Sequence, residues 1–387
     1  MAILKIHTLT LIFVACIFLY GCSENNISDE AEAPLLETFE DITEETVVVV
    51  VDDDQMTNTE TGAGIHGLIS KIDYGENRAY IFGSVHYGRL NWYPLSEVVL
   101  NAMSHSDVFV FEYNLAAGGI CLCEKLPYCN WCEDEVSWCE DYECFCVRRR
   151  LTFLEEGLTL EDYLDVEDFN KLVQVLELYP FIAYSTIATY RPAVAFSLIL
   201  EAAIRRIGFS HHLGIDWHVY NFALINEKPT LGLTGYNEHY SYMLDIPKEV
   251  ALGWLHDFYD SETFMESLQE LFYLYENQNI DGLRQTMTID IAEYQNMFSR
   301  GEITAEQLIS VKHSYEVTSN HRSSLMAHEI ERLLRETEEA TVFFITVGIS
   351  HLLHDNNVLN TLSGLGLTLL VYIDKQICSY EKVEGYV

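Results

Sequence analysis

The sequence predicts an α/β protein in which two similar strand–helix–strand units build a central sheet and a large helical region separates the units. The first unit lies in residues 78–114, where an apolar run leads through a Gly-x-x-His motif ending at His86 into a helix-like segment and a second apolar run. Residues 341–372 repeat this order around a Gly-x-x-His motif ending at His351. Such alternation of strands and helices is typical of α/β folds.

The elements of the first unit follow from the spacing of its apolar residues. Residues 79–82 are apolar without alternation, which predicts a strand buried on both faces. Apolar residues recur at helical spacing within 95–103, and the run 107–111 predicts a second strand that ends on Glu112. We therefore expect the Glu112 carboxylate at the same rim of the sheet as His86.

The second unit resembles the first in sequence as well as in order. Residues 99–104, VLNAMS, align with 358–363, VLNTLS, and this register sets Glu112 opposite Val371, so that only the first unit carries a carboxylate. A sheet built from both units would place the two motif histidines at the carboxyl ends of its strands, where open α/β sheets bind ligands. Chance similarity of two helices is the alternative.

The region between the units is predominantly helical. Helical spacing dominates 151–210 and 249–334, and the run 228–234 predicts a further buried strand. The second helical stretch has breaks near Asp260, Asp281 and Gly301. We expect these helices to cover the sheet.

Composition excludes some classes of function. The 387 residues are 49% hydrophobic, with 24 Tyr and 19 Phe, so the chain can bury a sizeable core and is not a disordered protein. The formal net charge of -38, from 60 acidic and 22 basic residues, repels phosphate backbones. We therefore expect no nucleic-acid partner.

The N-terminus has the features of a lipoprotein signal peptide over residues 1–21. Lys5 supplies positive charge, residues 9–19 form an apolar core, and Leu19-Tyr20-Gly21-Cys22 resembles a bacterial lipobox. The resemblance implies acylation of Cys22, a lipid anchor in the membrane and, because Ser23 rather than Asp follows, the outer membrane with the domain on the extracytoplasmic side. An uncleaved anchor helix is the alternative, but the core is shorter than the roughly 20 residues that a spanning helix needs.

The charge pattern also predicts the domain boundaries. Residues 22–63 are acidic and poor in aromatic residues, which predicts a solvated tether, with the valine run 47–51 as a stray edge strand. The folded domain then extends over 64–375, and 376–387 forms a C-terminal tail.

A cysteine-rich insert, residues 116–150, directly follows the second strand of the first unit. Without the signal peptide and the acylated cysteine the chain keeps eight cysteines, namely Cys121, Cys123, Cys129, Cys132, Cys139, Cys144, Cys146 and Cys378. An even number in an exported chain favours disulfides, whose pairing the sequence leaves open. A zinc site that begins at Cys129-x-x-Cys132 is the alternative.

Two histidines and a glutamate are the candidate catalytic centre. The imidazoles of His86 and His351 with the carboxylate of Glu112 make a partial site for a divalent metal with open positions for water, which the metal would activate. Glu112 could act as ligand or as general base. Packed histidines without a catalytic role are the alternative. The sequence contains no Gly-x-Ser-x-Gly, His-Glu-x-x-His or phosphate-binding Gly-rich motif, which argues against serine hydrolases, zincins and nucleotide sites.

The ordered set of motifs resembles the TraB/GumN family, which includes the Tiki proteins. The resemblance covers about 64–374 and rests on YIFGSVHYG, on Glu112 after an apolar strand, and on VGISHLLHDNNVLNTL. It implies a mixed α/β fold related to erythromycin esterase-like and haem-binding lipoproteins. It also implies a metal-dependent peptidase activity with Mn²⁺ or Co²⁺ as the expected ion and Zn²⁺ as an alternative.

Individual residues carry the resemblance and also depart from it. His86, His351 and Glu112 match the family's motif residues, and Asp216 matches a Gly-x-Asp turn, which makes it a site candidate or else a helix N-cap. Arg322 matches the arginine of an Arg-Asn pair and could steady an oxyanion or a substrate carboxylate, with an ordinary surface charge as the alternative. Thr234 replaces a family glutamate and Ser323 replaces the asparagine.

The sequence therefore predicts an exported, lipid-anchored, metal-dependent hydrolase that acts on a peptide or small-molecule substrate. The competing hypothesis is a non-catalytic protein of the same fold that binds a peptide signal or haem. A third hypothesis is a scaffold whose cysteine-rich insert recognises a partner.

Overall fold

A computed structural model describes residues 67–114, 152–180, 182–235, 238–239, 242, 246–259, 261–373 and 376–379. The predicted signal peptide with Cys22, the acidic tether and the cysteine-rich insert with its seven cysteines lie outside the described residues. In the part of the chain that the structure describes, no helix is both long and apolar enough to cross a bilayer.

A seven-stranded mixed sheet forms the centre of the fold, with the strand order β4-β3-β5-β2-β1-β6-β7. The strands are β1 Leu68–Tyr74, β2 Asn77–Ser84, β3 Val108–Tyr113, β4 Thr230–Thr234, β5 Val342–Gly348, β6 Leu369–Ile373 and β7 Gln376–Ser379. Strands β4, β3, β5 and β2 run parallel to one another, whereas β1 is antiparallel to β2 and β6, and β7 is antiparallel to β6. The α/β class with a mixed sheet is confirmed.

The two predicted strand–helix–strand units interleave within this sheet. Strand β5 lies between β2 and β3, and β2 and β1 lie between β5 and β6. Because β2 and β5 are parallel neighbours with Gly83 opposite Val347 and Ser84 opposite Gly348, both Gly-x-x-His motifs leave the sheet at the same end. The common rim predicted for the two motifs therefore exists.

The helices agree with the predicted pattern. Those before β4 are α1 Glu97–Ser104, α2 Leu160–Tyr163, α3 Val166–Glu177, α4 Tyr184–Ile187, α5 Pro192–Arg206 and α6 Ile215–Ile225. Those after β4 are α7 Lys248–Tyr259, α8 Ser261–Glu276, α9 Ile280–Met287, α10 Ile291–Ser299, α11 Ala305–His313, α12 Arg322–Glu336, α13 Ser350–Leu353 and α14 Val358–Gly364. The predicted break near Gly301 falls between α10 and α11, that near Asp281 lies in the first turn of α9, and Asp260 lies outside the described residues.

Two details differ from the sequence prediction. Strand β4 is an edge strand rather than a buried one, and Leu231 within it is 40% exposed. Strand β7 adds Gln376–Ser379 to the sheet within the stretch predicted as a C-terminal tail. Successive side chains of a strand point to opposite faces of the sheet, so β4 can bury one face and expose the other.

A π-helix, Ser314–His321, joins α11 to α12 without an intervening loop. Helical periodicity alone predicted a continuous α-helix here. Each hydrogen bond of a π-helix spans one residue more than that of an α-helix, so the residues that follow are rotated about the helix axis. The residues whose direction it sets are Arg322 and Ser323, which are both buried.

The core packs against the parallel strands. Phe82, Phe344 and Phe109 form a row across β2, β5 and β3 with ring centroids 5.9 and 5.6 Å apart, and Phe222 of α6 continues it at 5.7 Å from Phe109. Tilted aromatic contacts of this kind add to the burial of apolar area. The row keeps the strand ends that carry the polar motifs in fixed register.

Asn77 ties three segments together at the opposite end of β2. Its amide nitrogen donates to the carbonyl oxygens of Leu334 and Thr337 at 3.0 and 2.8 Å, and its amide oxygen accepts from the backbone N–H of Thr341 at 2.9 Å. The side chain is buried, so these backbone groups have little access to water. Asn77 thereby fixes the end of α12 against the start of β5.

We expect Asn77→Ala to lower the free energy of unfolding by about 1–3 kcal/mol, because it leaves buried backbone groups without partners. Thermal and chemical denaturation followed by circular dichroism measures the change. The matched control is Asn226→Ala, which removes an exposed amide that bonds to the Phe222 carbonyl and should change stability by less than about 0.5 kcal/mol. Equal effects of the two substitutions would contradict the bridging role of Asn77.

Candidate functional site

The three predicted centre residues converge beside Gly348, at the carboxyl ends of β2, β3 and β5. A methyl group added at Gly348 would lie 3.1 Å from Glu112 Oε1 and 3.7 Å from both His86 Nε2 and His351 Cδ2. We call the space bounded by Gly348, Glu112, His86 and His351 the Gly348 corner. The structure therefore brings together groups from both ends of the folded domain.

The Glu112 carboxylate is buried and has a partner on each oxygen. Oε1 accepts the backbone N–H of Gly348 at 2.7 Å, and Oε2 accepts Nη2 of Arg322 at 2.6 Å. Burial raises the pKa of Glu112, but the Arg322 charge together with the neighbouring imidazoles outweighs burial and holds that pKa well below its usual range. Glu112 is therefore an anion and a weak base at neutral pH.

Arg322 is an internal cation, with 2% of its surface exposed. The alternative of an ordinary surface charge is wrong. Its Nη2 also donates to Nδ1 of His239 at 3.1 Å, and the His239 ring stacks on Tyr113 with centroids 4.1 Å apart. Burial and the Arg322 charge lower the pKa of His239 well below its usual value, so this ring is neutral and can accept. Sequence reasoning missed His239, because no motif marks it.

His86 is oriented by Asp216. Its Nδ1 donates to Asp216 Oδ2 at 2.8 Å, while the Ser84 hydroxyl donates to Asp216 Oδ1 at 2.6 Å. Burial opposes protonation of His86, but the Asp216 charge and hydrogen bond outweigh it, and the pKa of His86 is raised. Because Gly214 is the N-cap of α6, the alternative that Asp216 caps this helix is wrong.

A close approach of two loops places Asp216 beside His86. A methyl group at Gly214 would lie 2.2 Å from the His86 carbonyl oxygen, and the Ile215 N–H donates to the Val85 carbonyl at 3.0 Å. Only glycine fits at this separation. The Gly-x-Asp turn of the sequence is thus a packing requirement as well as the source of a carboxylate.

His351 is oriented by Ser323. The Ser323 hydroxyl lies 2.8 Å from His351 Nδ1, and His351 Nε2 lies 3.8 Å from Glu112 Oε1. Burial lowers the pKa of His351 to about 3, so the ring is neutral at physiological pH. The same hydroxyl lies 3.2 Å from Nε2 of His354.

The donor set fits a divalent cation in its chemistry. In both motif histidines Nδ1 forms a hydrogen bond with a neighbouring side chain, and Nε2 faces the Gly348 corner. This is the usual arrangement of metal-binding histidines. The 3.8 Å between His351 Nε2 and Glu112 Oε1 is close to the separation of two ligands that each lie roughly 2.0–2.2 Å from one ion. Among the residues that the structure describes, no three His, Cys, Asp or Glu side chains close on a single point at such distances.

Thr234 contributes no charge to this site. Its hydroxyl donates to the backbone carbonyl of Glu112 at 2.7 Å. The substitution of a family glutamate by Thr234 therefore leaves Glu112 as the carboxylate that faces both Arg322 and Gly348.

A family model described as the TraB/PrgY/gumN family matches residues 147–369. The matched stretch contains Asp216, Arg322 and His351 and begins after His86 and Glu112 in the sequence. Neither the curated proteins nor the solved structures contain a match to the chain.

We expect Asp216→Asn to lower the pKa of His86, because the substitution removes the negative charge that stabilises the imidazolium. Titration of the histidine signals by NMR measures the shift. Asp355→Asn serves as the control, since Asp355 is exposed and should leave His86 unchanged. An unchanged pKa in Asp216→Asn would show that burial alone governs His86.

We expect Arg322→Met to lower the free energy of unfolding at neutral pH by about 3–5 kcal/mol, because it leaves the buried Glu112 anion without its cation. The wild-type pair stabilises the fold above the unfolded pKa of glutamate and loses this contribution as pH falls through the lower folded pKa. The difference between the two proteins should therefore shrink in acid.

The matched control is Arg332→Met on the same helix, where the arginine is half exposed and pairs with Glu329 and Glu336. Denaturation at neutral and acidic pH compares the variants. Exposed ion pairs contribute up to about 1 kcal/mol, so Arg332→Met should be mild. Similar losses in both variants would contradict a special role of the buried pair.

Proposed function

The chain belongs to the TraB/PrgY/gumN family, and from this membership we propose that it is a metal-dependent hydrolase with its active centre at the Gly348 corner. His86, His351 and Glu112 would hold the cation, with Mn²⁺ or Co²⁺ as the preferred ions and Zn²⁺ as the alternative. The proposed substrate is a peptide.

One observation carries the proposal. Nε2 of His86 and the ring of His351 approach the same side-chain-free position as Glu112 Oε1, although the three residues come from distant parts of the sequence. A structural histidine does not require this convergence, because packing alone can satisfy it with any polar partner. Two anchored imidazoles and an anion that face one position free of side chains are what a cation needs.

Each residue at the corner would have a separate task in the reaction. A divalent cation would supply Lewis acidity and lower the pKa of water at the site. Asp216 fixes the orientation of His86, and Ser323 fixes that of His351. Arg322 keeps Glu112 anionic, and the lowered pKa makes Glu112 better suited to be a ligand than a general base.

The place of action is part of the proposal. The Leu19-Tyr20-Gly21-Cys22 sequence supports export and a lipid anchor on Cys22, with the domain on the extracytoplasmic side of the outer membrane. In that oxidising setting the eight remaining cysteines would form disulfides. Mass spectrometry of the protein from its native membrane, with and without reduction, tests acylation and disulfides together.

A second candidate function is non-catalytic binding of a peptide signal or a cofactor such as haem at the same rim. The observation that favours it is the limited access to the corner. Glu112, Arg322 and His351 are almost fully buried, and His86 is the most exposed member with 20% of its side chain accessible. A ligand would then contact His86 first.

The experiment measures cation binding and cleavage by the full-length chain purified in detergent and stripped with a chelator. We expect calorimetry to detect one Mn²⁺ or Co²⁺ per chain and His351→Ala to abolish binding. Gly348→Ala should weaken binding at least about tenfold, because its methyl group occupies the corner. The matched control Gly364→Ala adds its methyl group in open space and should bind normally.

Cleavage separates the two candidate functions. Mass spectrometry of a peptide library should show products that depend on the added cation and disappear in His351→Ala. Cation binding without cleavage would favour the binding protein. Cation binding that His351→Ala and Gly348→Ala leave unchanged would reject the Gly348 corner as the site.

A further inference from the structure

Ser323 lies between two histidines, of which the proposed chemistry uses one. Its hydroxyl oxygen is 2.8 Å from Nδ1 of His351 and 3.2 Å from Nε2 of His354, and the two rings are 6.1 Å apart at 72°. All three side chains are buried. The sequence gives His354 no role at the site, because the Gly-x-x-His motif ends at His351.

His354 belongs to this cluster through its side chain. It is the C-terminal cap residue of α13, whereas the N-cap of α14 is Asn357, whose side chain accepts from the Asn360 N–H. The Asn357 amide nitrogen also donates to the His354 carbonyl at 2.7 Å. The backbone of His354 is thus fixed while its ring points to Ser323.

Proton counting restricts the hydrogen bonds that Ser323 can make. Both rings are buried and lie within hydrogen-bonding distance of the same hydroxyl, and a neutral imidazole carries one N–H and one lone pair. A serine hydroxyl has one proton, so between two imidazole nitrogens it donates to one and accepts from the other. Ser323 therefore couples the tautomers of the two rings.

The two possible directions have opposite consequences at the Gly348 corner. If Ser323 donates to His351 Nδ1, His351 carries its proton on Nε2 and directs an N–H toward Glu112 Oε1. If Ser323 donates to His354 Nε2, His351 carries its proton on Nδ1 and directs the Nε2 lone pair toward Glu112 Oε1. Only the second state can bind a cation through Nε2.

Without a cation the first direction is favoured for two reasons. An N–H facing the Glu112 anion at 3.8 Å is attracted, whereas a lone pair is repelled. His354 Nδ1 is buried and has no hydrogen-bond partner among the described residues. It holds a lone pair in the first state and an N–H in the second, and buried orphan N–H groups are the rarer of the two.

We propose that His354 is a positioning residue that determines, through Ser323, which nitrogen of His351 carries the proton. Cation binding at the Gly348 corner then changes the tautomers of both rings together. The second part rests on the proposed function. The reversal conserves protons. His351 releases its Nε2 proton to water, and Ser323 passes its hydroxyl proton to His351 Nδ1. Ser323 then takes the Nε2 proton of His354, and water returns one proton to His354 Nδ1.

Nitrogen NMR of the full-length chain, labelled with ¹⁵N only in its histidines, tests this arrangement. Signals of His351 and His354 are assigned from their loss in His351→Gln and His354→Gln. In the cation-free chain both rings should carry the proton on Nε2, and saturation with Zn²⁺, a diamagnetic probe, should move both to Nδ1. In Ser323→Ala the His354 signal should no longer respond to Zn²⁺.

Cation affinity provides an independent measurement. We expect His354→Leu to raise the Kd for the cation about 10–100-fold, because the Ser323 hydroxyl then has no acceptor when His351 donates to it. His354→Gln keeps an amide near the position of Nε2 and should restore most of the affinity. The matched control is His256→Leu, which removes a largely buried histidine that bonds to Thr304 and Asp168 and should leave the affinity unchanged.

The outcomes distinguish this inference from the proposed function. If the cation binds but His354 keeps its tautomer, or if His354→Leu binds as tightly as wild type, the coupling is wrong. If no cation binds, the proposed function fails, and the cation-free spectrum alone decides. A proton on Nε2 of both rings then supports the positioning role, and a proton on Nδ1 of His354 overturns it.

Discussion

The buried charge of Glu112 is the constraint on which the arrangement of this protein depends. An anion removed from water requires partners, and here they come from elements distant in sequence, namely Arg322 at the start of α12 and the Gly348 N–H at the end of β5. Strand β3 provides the anion and also pairs with β5. The buried ion pair therefore forms only when β3, β5 and α12 have come together.

Around this charge the site is built from pairs in which one side chain orients another. Asp216 holds His86, Ser323 holds His351, and His239 contacts Arg322. Each partner comes from a different element than the residue it holds, so the geometry depends on tertiary packing rather than on local sequence. Rigid elements of this kind are the usual supports of functional side chains.

The strands that carry the site and the motif residues could be predicted from the sequence, because their signal is local, whereas β7 was not predicted. Continuous apolar runs such as 79–82 must be buried, and a Gly-x-x-His after two parallel strands must leave the sheet at one end. His239 and the link from Ser323 to His354 could not be predicted, since they depend on how helices far apart in sequence meet. The π-helix escaped prediction for a different reason: its apolar spacing resembles that of an α-helix, so Arg322 was open to interpretation as a surface charge.

The interleaved strand order also governs when the molecule can assemble during synthesis. Strand β5 lies between β2 and β3 although it follows both in the sequence, so the β1–β2 and β3–β4 pairs have no direct pairing with each other. Until the ribosome has released the residues around Ile345, the first half lacks its central template and exposes apolar strand edges. Truncation before β5 would leave the facing edges of β2 and β3 without their shared neighbour, and we expect an aggregation-prone fragment rather than a smaller domain.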